Sequence, residues 1–140
     1  MAKGFSGGCL CGAVRFECTA EPQSVLHCHC IDCRKSSGTG HGTHVAVPRE
    51  AFSVSGDVTT YERAADSGNI VSRRFCPVCG SPVYSTTSGM PDHVFPIASA
   101  LDDPDFLEPE MIVYARRAPW WDYMDPSLPA LPGDFENGEE

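Results

Sequence analysis

Phe75-Cys76-Pro77-Val78-Cys79-Gly80 is the stretch on which the fold turns. In Cys-Pro-x-Cys-Gly the chain folds tightly enough for two thiolates to face one cation, and Gly80 relieves strain after the turn. A buried thiol pair without metal is the plain alternative. A closed zinc site needs four ligands, so this knuckle requires two partners from elsewhere in the chain. Cys9-Leu10-Cys11 supplies them, because residues two apart in an extended strand face the same side and present both sulfurs together. Gly7, Gly8 and Gly12 around the pair let the backbone come close to a metal. A site of Cys9, Cys11, Cys76 and Cys79 would join the start of the chain to its middle. Zinc that binds only the folded state would then contribute heavily to stability, so the expected role is structural.

Working outward, Cys28-His29-Cys30-Ile31-Asp32-Cys33 remains, with Cys18 left over. If the knuckle took two of these three cysteines, Cys9 and Cys11 would be stranded and no second site would be complete. Giving the knuckle to Cys9 and Cys11 leaves Cys28, Cys30 and Cys33 together. Three protein ligands with an open fourth position are the pattern of a catalytic zinc, since the vacancy admits water or substrate. A redox pair, an unmetallated cluster and a site closed by a histidine stay open as alternatives. In an extended stretch His27 and His29 face away from Cys28 and Cys30, which argues against direct ligation and leaves them as polar, core or ligand-orienting residues. His41 and His44 follow the glycine-rich Gly38-Thr39-Gly40 and either could approach the triplet. Cys18, in a strand, reads as a small buried hydrophobe.

The compartment decides between metal and disulfides for the eight cysteines. The N-terminus Met1-Ala2-Lys3-Gly4-Phe5-Ser6 has no apolar run, and no later segment approaches the ~20 apolar residues of a membrane-spanning helix. The expectation is a soluble cytoplasmic protein with reduced thiols, in which Cys-x-Cys and Cys-x-x-Cys pairs bind metal. The formal net charge of −9 makes a poor partner for a phosphate backbone, so neither nucleic acid nor membrane is expected as a partner.

Short β-type runs recur between turn residues. Ala13–Cys18 alternates apolar and polar side chains as a half-buried strand does. Further strands are expected at 25–28, 43–47, 52–55, 59–62, 69–75, 82–86, 93–97 and 110–114, with turns at Gly56-Asp57 and Ser67-Gly68-Asn69. One or two helical turns are expected at 32–37, with Asp32 as N-cap. After Pro119 the chain carries Pro126, Pro129 and Pro132 and ends in Asp134, Glu136, Glu139 and Glu140, which reads as an extended strap and an acidic tail. The architecture is therefore mostly β and leans on metal to hold its loops.

Gly8-Cys9-Leu10-Cys11-Gly12-Ala13-Val14-Arg15, then His27 to Lys35, then Phe75 to Gly80 resemble the glutathione-dependent formaldehyde-activating enzyme family, which also includes centromere protein V. Ala115-Arg116-Arg117-Ala118-Pro119-Trp120-Trp121 is similar to that family's C-terminal aromatic strap. The resemblance implies a single-domain, β-tent-like zinc fold of short antiparallel strands with little helix, over 1–122, followed by a Pro-rich acidic tail at 123–140. It implies a structural zinc on Cys9, Cys11, Cys76 and Cys79, and a second, labile zinc on Cys28, Cys30 and Cys33. The activity it implies is a carbon–sulfur lyase-type reaction joining glutathione to formaldehyde. Such a thiol is anionic, and Arg34 and Lys35 after the third cysteine are the expected contacts. Arg73 and Arg74 read more simply as solvated strand charges. Trp120 and Trp121 either line a pocket or anchor the strap. A non-catalytic zinc scaffold and a thiol redox or metal-buffering protein are the rival functions. A basic tail would favour the scaffold, and this chain ends acidic. Reversible pairing of Cys30 with Cys33 would favour the redox reading.

Overall fold

A computed structural model describes residues 4–133 of the chain; the acidic residues expected to form the end of the tail lie outside that range. In chain order the strands are β1 (Phe5–Gly8), β2 (Arg15–Cys18), β3 (Ser24–Cys28), β4 (Gly42–Pro48), β5 (Phe52–Ser55), β6 (Thr59–Ala64), β7 (Ile70–Phe75), β8 (Pro82–Thr87), β9 (His93–Pro96) and β10 (Met111–Val113). One α-helix, α1 (Ile31–Ser37), stands among several single-turn 3-10 segments. The fold is mostly β, built of short antiparallel strands with little helix, and β3 pairs with β10 in parallel. No helix among the described residues is long and apolar enough to cross a membrane.

The chain forms two compact units, each from two separated segments: residues up to 23 with 45–107, and 24–44 with 108 onward. In the first unit β1, β2 and β5 make a three-stranded antiparallel sheet, with Gly7 opposite Phe16 and Phe16 opposite Val54. β4, from Val45 onward, leads into the antiparallel order β4-β9-β8-β7-β6. Phe16 is 1% exposed and its ring lies 5.2 Å from Phe52 and 6.5 Å from Phe5. Val14, Val45, Val47, Val83 and Cys76 are fully buried as well. β6 is exposed along its whole length, and its Glu62 and Arg63 keep that edge from pairing further.

Strand β1 has no period-2 pattern, because Phe5-Ser6-Gly7-Gly8 carries two residues of low strand preference. The position explains them. A β-carbon on Gly7 would stand 2.3 Å from the Ala100 carbonyl oxygen and 2.5 Å from Phe16 Cζ, so only glycine fits there.

In the second unit β3 and β10 pair in parallel, Leu26 opposite Met111 and Cys28 opposite Val113. Residues 129–133 run beside β10: Ile112 N–H donates to the Pro129 carbonyl, Leu131 N–H to Ile112 and Tyr114 N–H to Gly133. The strap is thus tied by backbone hydrogen bonds. Cys28, Cys33 and Val113 form the buried centre, with Leu26, Met111, Tyr114 and Leu131 packed against it. Helix α1 starts one residue earlier than the spacing predicts, and its N-cap is Cys30 rather than Asp32. The Cys30 Sγ accepts from the Cys33 N–H at 3.3 Å, so the thiol takes the capping position and Asp32 falls in the first turn. Gly38, at φ 85°, closes the helix in the left-handed region.

Candidate metal centres

All eight cysteines are unbridged. Seven of them fall into two clusters, one in each unit. Cys9, Cys11, Cys76 and Cys79 bring their sulfurs within 4.8 Å of one another, and so do Cys28, Cys30 and Cys33. Cys18, 3% exposed with its thiol facing the Ala20 carbonyl, belongs to neither.

In the four-thiol cluster, Cys9 Sγ lies 3.7 Å from Cys11 Sγ, and Cys11 Sγ lies 3.8 Å from Cys76 Sγ. A tetrahedral ion with zinc–sulfur bonds of about 2.3 Å requires sulfur–sulfur edges of about 3.8 Å. The donors therefore fit zinc. The turn after β7 aims Val78 N–H and Cys79 N–H at Cys76 Sγ, at 3.3 and 3.4 Å, and the turn between β1 and β2 aims Val14 N–H at Cys9 Sγ, at 3.2 Å. Such bonds favour thiolates.

The charges differ within the cluster. The Ser81 hydroxyl, 3.3 Å from Cys79 Sγ, leads a set of hydrogen bonds that lower the Cys79 pKa to about 5. Burial opposes ionisation of Cys9, but the Val14 N–H with the Cys11 and Cys76 sulfurs outweighs it and lowers its pKa. Cys11 moves the other way, to about 11: the Ala13 N–H favours its thiolate, and desolvation with the three competing sulfurs overrides that. Four thiolates this close repel one another, and a dication is what lets all four ionise.

The three-thiol cluster is assembled from the end of β3 and the start of α1. Cys28 is the last strand residue, Cys30 the N-cap, and Cys33 sits in the first turn, where both ends of a Cys-x-x-Cys meet. Hydrogen bonds to the Cys30 and Cys33 sulfurs, then burial, raise the Cys28 pKa strongly. The same crowding raises Cys30, although its bond with Cys28 pulls the other way. His44, from β4, places Nε2 3.3 Å from Cys33 Sγ. Of the histidines in this unit, it is the one with a hydrogen bond to a triplet sulfur.

His27 and His29 do face away from the thiols. His27 Nδ1 pairs with Thr43 Oγ1 at 2.8 Å, and His29 Nδ1 lies 3.0 Å from the Gly40 carbonyl oxygen. His41 Nδ1 pairs with Asp122 Oδ2 at 2.7 Å. Arg34 is half-buried and Lys35 exposed, both on α1 directly after Cys33. Arg74 is spent within its sheet, bonded to Thr86 and lying over the Tyr84 ring. Trp120 and Trp121 are 81% and 51% exposed. Their neighbour Asp122 anchors the strap through His41. Asp122 and Ser81 carry no motif of their own; each is recognisable only by what the fold sets beside it.

The model of the family described as "Glutathione-dependent formaldehyde-activating enzyme" matches residues 4–117. A protein of Halomonas elongata carrying the name "Putative glutathione-dependent formaldehyde-activating enzyme" is 32% identical over 121 residues, covering 82% of this chain and 77% of that protein. A crystal structure of a Rhodobacter sphaeroides protein superposes with a TM-score of 0.58 at 21% identity, over 74% of this chain and 96% of the other, which is a likeness of fold.

Proposed function

Because this chain belongs to the glutathione-dependent formaldehyde-activating enzyme family, we propose that it is a zinc-dependent enzyme of carbon–sulfur lyase type that joins a small thiol, glutathione or one like it, to formaldehyde or a similar aldehyde. The observation that carries this reading is the count of thiols, four converging in one cluster and three in the other. Cys9, Cys11, Cys76 and Cys79 would hold a structural zinc. Cys28, Cys30 and Cys33 would hold the second, labile one. Bound there, zinc supplies an open position that lowers the pKa of an incoming thiol and so favours the nucleophilic thiolate.

The chain's own groups position the reactants. Cys28, Cys30 and Cys33 are held by a strand end and a helix cap, so the site is formed before substrate arrives. His44 Nε2, beside Cys33 Sγ, is a group able to exchange a proton at the rim of the triplet. Arg34 and Lys35 offer positive charge to the carboxylates of a glutathione-like substrate. The addition balances without redox: the sulfur forms the new carbon–sulfur bond, the carbonyl π pair moves to oxygen, and the thiol proton ends on that oxygen.

The test is zinc content by elemental analysis with adduct formation followed by NMR. Two zinc ions per chain, one of them lost to a weak chelator with the fold retained, and adduct formation abolished by Cys30→Ser are the expected results. Adduct formation no faster than in protein-free buffer would sink the reading. A second reading has one observation in its favour. The 3.3 Å separation of His44 Nε2 from Cys33 Sγ is close to one edge, about 3.6 Å, of a closed zinc site of three cysteines and one histidine, although His44 lies outside the set of atoms within 4.8 Å of one another. A site closed in that way would make the protein a zinc scaffold.

A further inference from the structure

The β3–α1 region presents two chemically different faces. On one, Cys33 faces His44, and a β-carbon on Gly42 would fall 2.9 Å from His44 Nε2 and 3.4 Å from Cys33 Cβ. On the other, Thr43 and His27 pair, and His29, His41 and Asp122 converge. Strand alternation accounts for the division, since Gly42 and His44 point one way and Thr43 the other.

We propose that His29, His41 and Asp122 form a third cation site, of imidazole–carboxylate type, that takes a divalent first-row transition ion. The donor atoms lie within 4.8 Å of one another. Asp122 Oδ2 is 2.7 Å from His41 Nδ1 and 3.4 Å from His29 Nδ1, and His29 Nδ1 is 3.0 Å from the Gly40 carbonyl oxygen. Donors bound at about 2.1 Å stand about 3.0 Å apart in an octahedral sphere and about 3.4 Å apart in a tetrahedral one. The donor atoms of His29, His41 and Asp122 are thus close enough to share one ion, with the Gly40 carbonyl oxygen beside His29. Two nitrogens with a carboxylate select iron(II), manganese, cobalt or zinc over soft copper(I) and over magnesium or calcium.

Burial strengthens the case. The His29 and Asp122 side chains are 1% and 9% exposed, and that of His41 is 19% exposed, which leaves a route for the ion on the His41 side. Desolvating a carboxylate is costly, and a bound dication offsets that cost. The ring of His29 is held through Nδ1 alone, since its buried Nε2 has no partner among the described residues. Gly40 completes the seat: a β-carbon there would meet Asp122 Oδ2 at 2.4 Å and Cγ at 2.7 Å, so the backbone lies directly against the carboxylate.

The site shares no donor with either cysteine cluster, so it stands whether or not the reaction proposed above is right. Zinc-saturated protein is titrated with cobalt(II) and read by absorption. Cobalt on thiolate gives intense near-ultraviolet charge-transfer bands; cobalt on nitrogen and oxygen gives only weak visible bands. The expected result is one further equivalent of cobalt without a thiolate band, bound at least tenfold more weakly in both Asp122→Asn and His41→Gln while their zinc content is unchanged. No further equivalent, a further equivalent with a thiolate band, or one that survives both substitutions would overturn the inference.

Discussion

His44 Nε2 lies 3.3 Å from Cys33 Sγ, and Gly42 keeps the space between strand and helix through which that imidazole reaches the thiol. If the triplet is an open site, His44 is a neighbour of the metal ligands and not one of them. His44→Gln then leaves two zinc ions per chain and lowers adduct formation about 10- to 100-fold, the usual effect of removing a group that orients a ligand. Zinc analysis with the adduct assay decides it. Loss of the second zinc in the variant would make His44 the fourth ligand and favour the scaffold.

The two clusters should fail differently. Cys76 is fully buried and hydrogen-bonded to Val78 N–H and Cys79 N–H, so under the proposed assignment Cys76→Ser removes a ligand of the structural zinc and destabilises the fold by about 4 kcal/mol or more. Cys30→Ser keeps an oxygen at the N-cap of α1, so the helix survives while the second zinc and activity are lost. Equal falls in melting temperature would show that this division of roles is wrong.

Gly7→Ala is a test of the packing behind Cys9. The new methyl would press on the Ala100 carbonyl oxygen, Phe16 Cζ and Leu101 Cα, two of them backbone atoms with little freedom to move. Overpacking of this kind costs about 1–3 kcal/mol. The variant should melt several degrees lower and give up its structural zinc to chelator sooner. An unchanged melting temperature would show that β1 can shift away.

Asp102 accepts from both guanidinium nitrogens of Arg15 and from Ser6 Oγ, which ties β1 and β2 to the segment after β9. The Arg15 and Ser6 hydrogen bonds lower its pKa below the ordinary carboxylate value. The folded chain thus holds this proton less tightly than the unfolded one. The contribution is fully present above pH ~4 and fades as pH falls through the lowered folded value. Both side chains are more than 40% exposed, so the gain is at most about 1 kcal/mol. Asp102→Asn should lower stability slightly at pH 7, with the difference shrinking as pH falls below ~4. A difference that does not shrink as pH falls would point to packing instead of charge.

Much of this was legible before folding was considered. The Cys9/Cys11 and Cys76/Cys79 grouping follows from spacing, because two-residue and three-residue separations aim sulfurs together whatever surrounds them. Nine of the ten strands sit within two residues of where alternation and turn residues put them at both ends. Strand β1 was hidden, since Gly7 and Gly8 answer to Ala100 and Phe16, not to any local preference. The cap of α1 was misassigned to Asp32 because Cys30 outcompetes it with a sulfur already held at that turn.

What the sequence determined by itself is local: which thiols can share a cation, where strands alternate, where glycine must turn the chain. Those properties depend on separations of a few residues, which backbone geometry alone converts into distance. What the tertiary structure decided is every pairing across long separations. His44 beside Cys33, and Asp122 against His41 from 81 positions away, arise because β4 and the strap are brought home by packing and backbone hydrogen bonds. No spacing in the chain encodes such a meeting; only the closed fold measures it.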